Sequence, residues 1–403
     1  MPIVNRKYGV RLDGFTFAHW EKLMRRVVYA FGGIFIVIIV VGVGIKAKFG
    51  DGMRLEDRTT IPVFSGDVLE TVADLEYPPG NIAVSQDGRV FFTLHPDGRP
   101  PTKVHELFDG EPVAYPNLEY QTETEGIPFF QSILAIRIDR HNRLWVLDFA
   151  DFGQGNPRIS AFDLGTNELV HTYDFPPDVA GLTSMLNDFQ VSPEGDKIYI
   201  AETSPLLHHP ALIIYDVTTQ QSRRVLDSHE SVLPENYLIQ APGRDMIIFG
   251  IYAMRVGVDS IALDRDGQWL YYGAVNSDTL YRIRSADLND TSLSDEALGA
   301  RVETFADKTL SDGLTTDLEG NVYLSDMEHS AIHRLNPEGK LTTLVQDKRL
   351  RWPDGFSFGP DGNLYVTCSS LQNVLFVSPD EMRAHAPYQI YRFNPGVRGI
   401  AGH

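Results

Sequence analysis

One phrase recurs six times along the chain: a polar or acidic entry, a short apolar strand, a tight turn, then a second apolar strand. The copies are GNIAVSQDGRVFFTLH (80–95), LAIRIDRHNRLWVLDF (134–149) and NDFQVSPEGDKIYIAE (187–202). They continue with DSIALDRDGQWLYYGA (259–274), DGLTTDLEGNVYLSDM (312–327) and DGFSFGPDGNLYVTCS (354–369). The turn residues Gly88, Asn142, Gly195, Gly267, Gly320 and Gly362 stand 54, 53, 72, 53 and 42 positions apart. Gly and Asn suit such hairpins because they tolerate positive φ. A unit of about 50 residues rich in Val, Ile, Tyr and Phe predicts an all-β fold, a six-bladed β-propeller with four strands per blade. Segments such as 211–217 with 222–227, and 279–283 with 301–307, supply outer strands. The segment 67–77 precedes the first copy and 388–393 follows the last. Pairing them would complete the last blade and remove open sheet edges.

Ahead of the repeats, Val27–Ile45 (VVYAFGGIFIVIIVVGVGI) runs nineteen residues without a charge. At about 1.5 Å per residue, that nearly crosses a hydrocarbon core of roughly 30 Å. It is expected to be one N-terminal transmembrane helix, an uncleaved signal anchor in the lipid. A cleaved signal sequence is the alternative, with Gly42-Val43-Gly44 as the site. Arg6, Lys7, Arg11, Lys22, Arg25 and Arg26 precede the span, and only Lys46 and Lys48 follow it closely. The positive-inside rule then leaves residues 1–26 in the cytoplasm and the body in the periplasm, outside a bacterial inner membrane. The expected order is a cytoplasmic segment (1–26), the anchor (27–45), a linker (46–66), the propeller (67–395) and a C-terminal tail (396–403).

Charge is split along the chain. Residues 1–50 hold eight basic and two acidic residues; the rest hold 27 basic and 52 acidic, a balance of −25. A body that acidic repels phosphate backbones, which excludes nucleic acid as a partner. One cysteine, Cys368, excludes an intramolecular disulfide and a thiolate zinc cluster.

The repeat also locates a site. Eight positions before each turn residue stand Gly80, Leu134, Asn187, Asp259, Asp312 and Asp354. If these strands line the channel, about 3.3 Å per residue places this ring roughly 20 Å from the turns. The loops after the second strands (95–102, 149–157, 203–210, 276–278, 327–330, 369–373) then surround the same mouth. Loops 96–131 and 228–257 exceed what a blade needs and are candidates for ligand or partner contacts. Converging aspartates are costly unless a hard cation such as Ca²⁺, or a protonated amine, neutralises them. The bland alternative makes each Asp or Asn a strand cap on backbone N–H groups. The candidate ligand-binding residues are Asn81, Asn187, Asp188, Asp259, Asp312 and Asp354.

The wording GNIAVSQDGRVFFTLH, RLWVLDF, ALIIYDV, GQWLYYGA and LRWPDGFSFGPDGNLYVT resembles the yellow / major royal jelly protein family over roughly residues 68–380, in its bacterial form. The resemblance implies a six-bladed propeller. Insect members include proteins that bind biogenic amines or sterols and others linked to dopachrome conversion. The chain is more distantly similar to the calcium-dependent lactonases of the gluconolactonase / regucalcin group. That likeness implies a metal at Asn187, Asp259 and Asp312, with Asp259 also as base; where a Glu ligand would stand, this chain has Leu134.

Other features carry less. His208-His209 and the pair His329 and His333 are expected to be solvated loop histidines, because i/i+4 spacing at a loop–strand junction does not bring them to one face. Trp145, Trp269, Tyr271, Tyr272 and Trp352 are expected in strand and core positions, and Cys368 as a buried filler. No G-x-S-x-G, Walker loop, G-x-G-x-x-G or H-E-x-x-H occurs. Three functions remain open: an anchored propeller binding a small cationic or aromatic ligand, a Ca²⁺-assisted lactonase or other hydrolase (or a tautomerase-like isomerase), and an accessory subunit docked to other membrane-complex subunits.

Overall fold

Every one of the six phrases becomes the inner hairpin of a four-stranded antiparallel blade in the computed structural model. The structure describes residues 17–402, apart from 124, 127, 128 and 206. The inner strands are Pro79–Val84, Ile133–Ile138, Leu186–Val191, Val258–Leu263, Leu314–Thr316 and Pro353–Phe358, in blades one to six. All six turn residues have positive φ, from 59° at Asn142 to 88° at Gly88. Each turn is closed by a backbone bond to the residue three before it, as in Gly88 N–H to the Ser85 carbonyl at 3.0 Å.

The ring closes as the sequence predicts. Glu70–Leu75 lies antiparallel to Tyr388–Phe393, with Glu70 opposite Arg392 and Leu75 opposite Tyr388. The last blade therefore takes its outer strand from the N-terminal side of the repeats and its other three from the C-terminal side, which closes the ring. Apolar side chains fill the spaces between neighbouring blades. Between blades two and three, for example, Trp145, Phe189, Ile198, Ile213 and Tyr215 form one buried cluster.

Two segments outside the repeats are part of the body. From Gly50 the linker is a strap on the propeller surface. Met53 N–H bonds the Asn236 carbonyl at 2.7 Å, Arg58 pairs with Asp278 at 3.0 Å, and Phe64 N–H bonds the Leu344 carbonyl at 2.8 Å. The tail crosses the turn end of the channel. Leu318 N–H bonds the Arg398 carbonyl at 2.8 Å and Ile138 N–H bonds that of Gly402 at 3.2 Å. These partners sit in blades five and two, on opposite sides of a six-membered ring, so the tail spans the floor. Gly402 is needed there: its φ is +89°, and a Cβ would lie 2.6 Å from the Ile138 carbonyl oxygen.

The expected span falls within α1, Phe17–Phe49. Among the described residues no helix is long and apolar enough to cross a membrane; the side chains at 33, 36, 38 and 39 lie outside the description. Most of those that are described, including Val28, Tyr29, Phe31, Ile34, Phe35 and Val37, are exposed, while Ile45 is half-buried.

Ile390 is fully buried on the strand that joins the two chain ends. Ile390→Ala is expected to lower unfolding free energy by about 2–5 kcal/mol. Val170→Ala, at a half-exposed edge position, is expected to change it by less than about 0.5 kcal/mol. Urea titration followed by tryptophan fluorescence checks both.

Candidate ligand-binding channel

At the mouth end the inner hairpins slip register. The slip falls between Pro79 and Ile82, Ile133 and Ile136, Leu186 and Phe189, Val258 and Ser260, and Pro353 and Phe356. Such bulges bend a strand and re-aim its side chains. The residues inside them are those the repeat singled out, with their neighbours: Gly80 and Asn81, Leu134 and Ala135, Asn187 and Asp188, Asp259, Asp354 and Gly355. In blade five Asp312 and Gly313 stand just before the strand. Gly313 allows the close approach of blade six, since a Cβ would lie 1.7 Å from the Asp354 carbonyl oxygen.

All of these residues line one cavity of about 650 Å³, a volume suited to a small organic ligand. The six predicted site residues therefore converge: Asn81, Asn187, Asp188, Asp259, Asp312 and Asp354 all face it. Its upper wall is largely apolar and aromatic, from Phe152, Tyr252, Met254, Leu371 and Phe376. Loop 228–257 folds into two short hairpins, Gln240–Ala241 with Arg244–Asp245 and Ile247–Ile248 with Tyr252–Ala253, and the second supplies part of that wall. Loop 96–131 contributes only Asp97 among the described residues.

The sequence reading missed the cation inside the ring. Arg137 is buried on the inner strand of blade two; its guanidinium bonds the Asn81 side-chain oxygen and pairs with Asp188 at 2.7 Å. A signal for it exists. Three positions after the ring residue the copies have Ala83, Arg137, Gln190, Ala262, Thr315 and Ser357, so Arg137 is the one charged residue in that layer. Trp352 also departs from its expected role as a packing residue only. Held at φ +54°, it directs its indole N–H to an Asp312 oxygen at 2.5 Å.

One guanidinium does not balance four carboxyl groups. Burial pushes Asp188 up to about 6 against the pull of Arg137 and of the Phe189 N–H. Burial likewise pushes Asp312 up to about 6, opposed by the Trp352 bond. Asp259 and Asp354 lie well above the ordinary carboxylate range, from burial first and the charge of Asp312 second. None of the carboxyls of Asp259, Asp312 and Asp354 caps a backbone N–H among the described hydrogen bonds, whereas Asp188 bonds its own neighbour, Phe189 N–H, at 2.9 Å. The capping duty falls instead at the ends of the second strands. Asp148 accepts from Gln131, Ser132 and Ala150 N–H at 2.7–2.9 Å, and Asp326 accepts from Glu328 and His329 N–H at 2.9–3.0 Å.

The calcium pattern does not fit these residues. Leu134 presents an apolar side chain where the lactonase-like set needs a carboxylate, and the Arg137 guanidinium occupies the ring. Among the described residues no group of three His, Cys, Asp or Glu side chains is arranged to hold a metal ion. Asp259, the candidate base, sits where burial favours its protonated form, which donates a hydrogen bond rather than accepting a proton.

The histidines also differ from expectation. His329 Nδ1 and His333 Nε2 both reach Asp326, at 2.9 and 3.1 Å, and His333 is fully buried. The turn from Asp326 to His329 folds the loop back over the strand end, so the two rings meet at a shared carboxylate instead of standing in solvent. His208 bonds the Tyr252 hydroxyl at 2.9 Å and lines the cavity. His209 remains on the surface beside Ser228. Trp145 and Cys368 are buried as expected.

Fold and channel together define a six-bladed propeller, closed at its floor and open at an acidic, ligand-sized mouth. The chain belongs to the major royal jelly protein family, whose model matches residues 131–394. Among solved structures it is similar to a luciferin-regenerating enzyme, at 14% identity and TM-score 0.53 over 83% of this chain and 98% of that one. It is similar to regucalcin, a calcium-binding protein from Agrobacterium tumefaciens, at 15% identity and TM-score 0.52 over 85% and 98%. A gluconolactonase from Xanthomonas campestris gives 13% identity and TM-score 0.51 over 81% and 89%. At such identities the likeness establishes the fold alone. No curated protein sequence matches the chain.

Two outcomes follow from the buried pairs. Arg137→Met leaves Asp188 buried without a counter-charge and is expected to cost about 3–5 kcal/mol; adding Asp188→Asn is expected to recover most of it, as a double-mutant unfolding cycle measures. The bond to Asp326 raises His329 to about 9 from its ordinary 6.5. Its stabilisation is therefore complete below pH 6.5 and lost as pH rises through about 9. The melting-temperature gap between wild type and His329→Gln should be widest near pH 6 and shrink above pH 9.

Proposed function

We propose that the channel mouth binds a small protonated amine carrying an aromatic or apolar body, and that residues 27–45 anchor the propeller to a membrane. The observation that carries the first part is the excess of carboxyl groups. Asp97, Asp188, Asp259, Asp312 and Asp354 line one cavity with two guanidiniums, beneath an aromatic wall; Arg137 pairs with Asp188, and Arg255 is taken up by the Asp51 and Ala253 carbonyls and by Asn236. A bound ammonium would let Asp259 and Asp354 ionise at lower cost, and Tyr252, Phe152 and Phe376 would receive its apolar part. The ligand-sized volume supports the same reading. Calcium-dependent lactone hydrolysis lies outside it, because Leu134 and Arg137 stand where that chemistry needs a ligand and a metal.

Anchoring is supported by the nineteen uncharged residues and by their exposure along α1. A helix surface that apolar is compatible with a hydrocarbon environment. The basic residues before it support a cytoplasmic N-terminus with the propeller outside.

Calorimetric titration with phenethylamine tests the site. Asp259→Asn and Asp312→Asn are each expected to weaken binding about tenfold, or roughly 1.4 kcal/mol for a lost charge-assisted contact. Unchanged affinity in both variants would sink the assignment.

A further inference from the structure

The mouth wears an apolar collar. Phe249 and Phe376, 79% and 54% exposed, meet edge to face with centroids 5.5 Å apart. Leu207 is exposed beside the cavity-lining His208. Leu182, 73% exposed, precedes Thr183, whose N–H bonds the carbonyl of the cavity-lining Phe152 at 2.7 Å. Exposed large apolar groups gathered round one opening are unusual on a free surface and mark a contact.

What covers them follows from where α1 ends. Its last residue, Phe49, lies 6.1 Å, ring to ring, from Tyr252, which lines the cavity. Gly50 is pressed against the body, its Cβ position 3.0 Å from the Ile251 carbonyl oxygen. Arg255 then holds the Asp51 carbonyl at 2.7 Å, and Met53 and Leu238 exchange backbone bonds with the same loop region. Asp51 is two residues past the helix, and two residues of extended chain reach only about 7 Å. No slack separates helix and mouth. Lys46 and Lys48 stand on the last turn, Lys48 over the Phe49 ring at 4.9 Å, a pairing that suits the headgroup layer. The tail closes the opposite end of the channel, so the collared mouth is the entrance.

We propose that the collar rests on the lipid surface from which α1 emerges, so that the channel takes its ligand, an amphiphilic amine, from the bilayer interface. The proposal rests on the anchoring of α1 proposed above, and it adds an orientation that anchoring alone does not require.

The test uses the full chain in proteoliposomes whose acyl chains carry a quencher. Cys368 is fully buried, so a bimane label goes to an introduced thiol: Val37→Cys in α1, Phe249→Cys and Phe376→Cys on the collar, and Glu319→Cys at the floor. Lipid-borne quencher is expected to reduce emission severalfold at 37, 249 and 376 and to leave 319 unchanged. Quenching at 37 without quenching at 249 and 376 would overturn the docking while keeping the anchor, and would leave a protein partner as the collar's occupant. No quenching at 37 would overturn the anchor and the docking together.

Discussion

Four buried carboxyl groups gathered round the Arg137 guanidinium in one channel set the terms for the rest of this molecule. Coulomb repulsion in a medium poorer than water drives such groups toward protonation or toward a counter-ion. The protein answers in two ways. Arg137 takes Asp188 and Asn81, and the Trp352 indole takes Asp312. That leaves Asp259 and Asp354 with hydrogen bonds from Asn187 and Ser369, where burial and the neighbouring Asp312 favour the protonated form. An arrangement of this kind gains most from a guest that arrives with a positive charge. Stability is given up at the mouth and regained in the blades, where apolar side chains fill the space between sheets.

The blades make that concentration of charge tolerable. Five of the six inner strands carry a bulge at the same height, so side chains from those hairpins, and Asp312 from blade five, point into one volume. The seam between Glu70–Leu75 and Tyr388–Phe393 locks the ring, and the tail closes the floor. Because the strap from Gly50 onward is bonded along its length, the position of α1 is tied to the mouth and not merely to the domain. Site, mouth and the end of α1 lie at one end of the molecule, and this geometry follows from backbone bonds of a few residues.

Much of this was legible from residues alone, for physical reasons that differ from place to place. Gly88, Asn142 and their four equivalents mark turns because positive φ is scarce, and their spacing counted the blades. Counting back eight positions found the ring, because every copy sets its ring residue the same number of positions before its turn. The bulges were not legible, since a bulge is a property of two strands in register and not of either alone; in blades one, two, three and six the neighbour of the ring residue also faces the channel. Arg137 stood in plain view within LAIRI, as a charge where its counterparts are small or uncharged. His333 was misplaced because its partner Asp326 belongs to the preceding strand, across a turn. The strap and the tail have no periodicity to announce them, and their partners lie hundreds of residues away.

The most direct test of a channel tuned to positive charge compares two ligands of the same shape. Phenethylamine is protonated at neutral pH and 2-phenylethanol is not, so calorimetric titration of both into the full-length protein isolates the charge. Measurable binding of the amine, with the alcohol at least about tenfold weaker, is the predicted result. Equal affinity for the two, or binding of neither, would contradict the account.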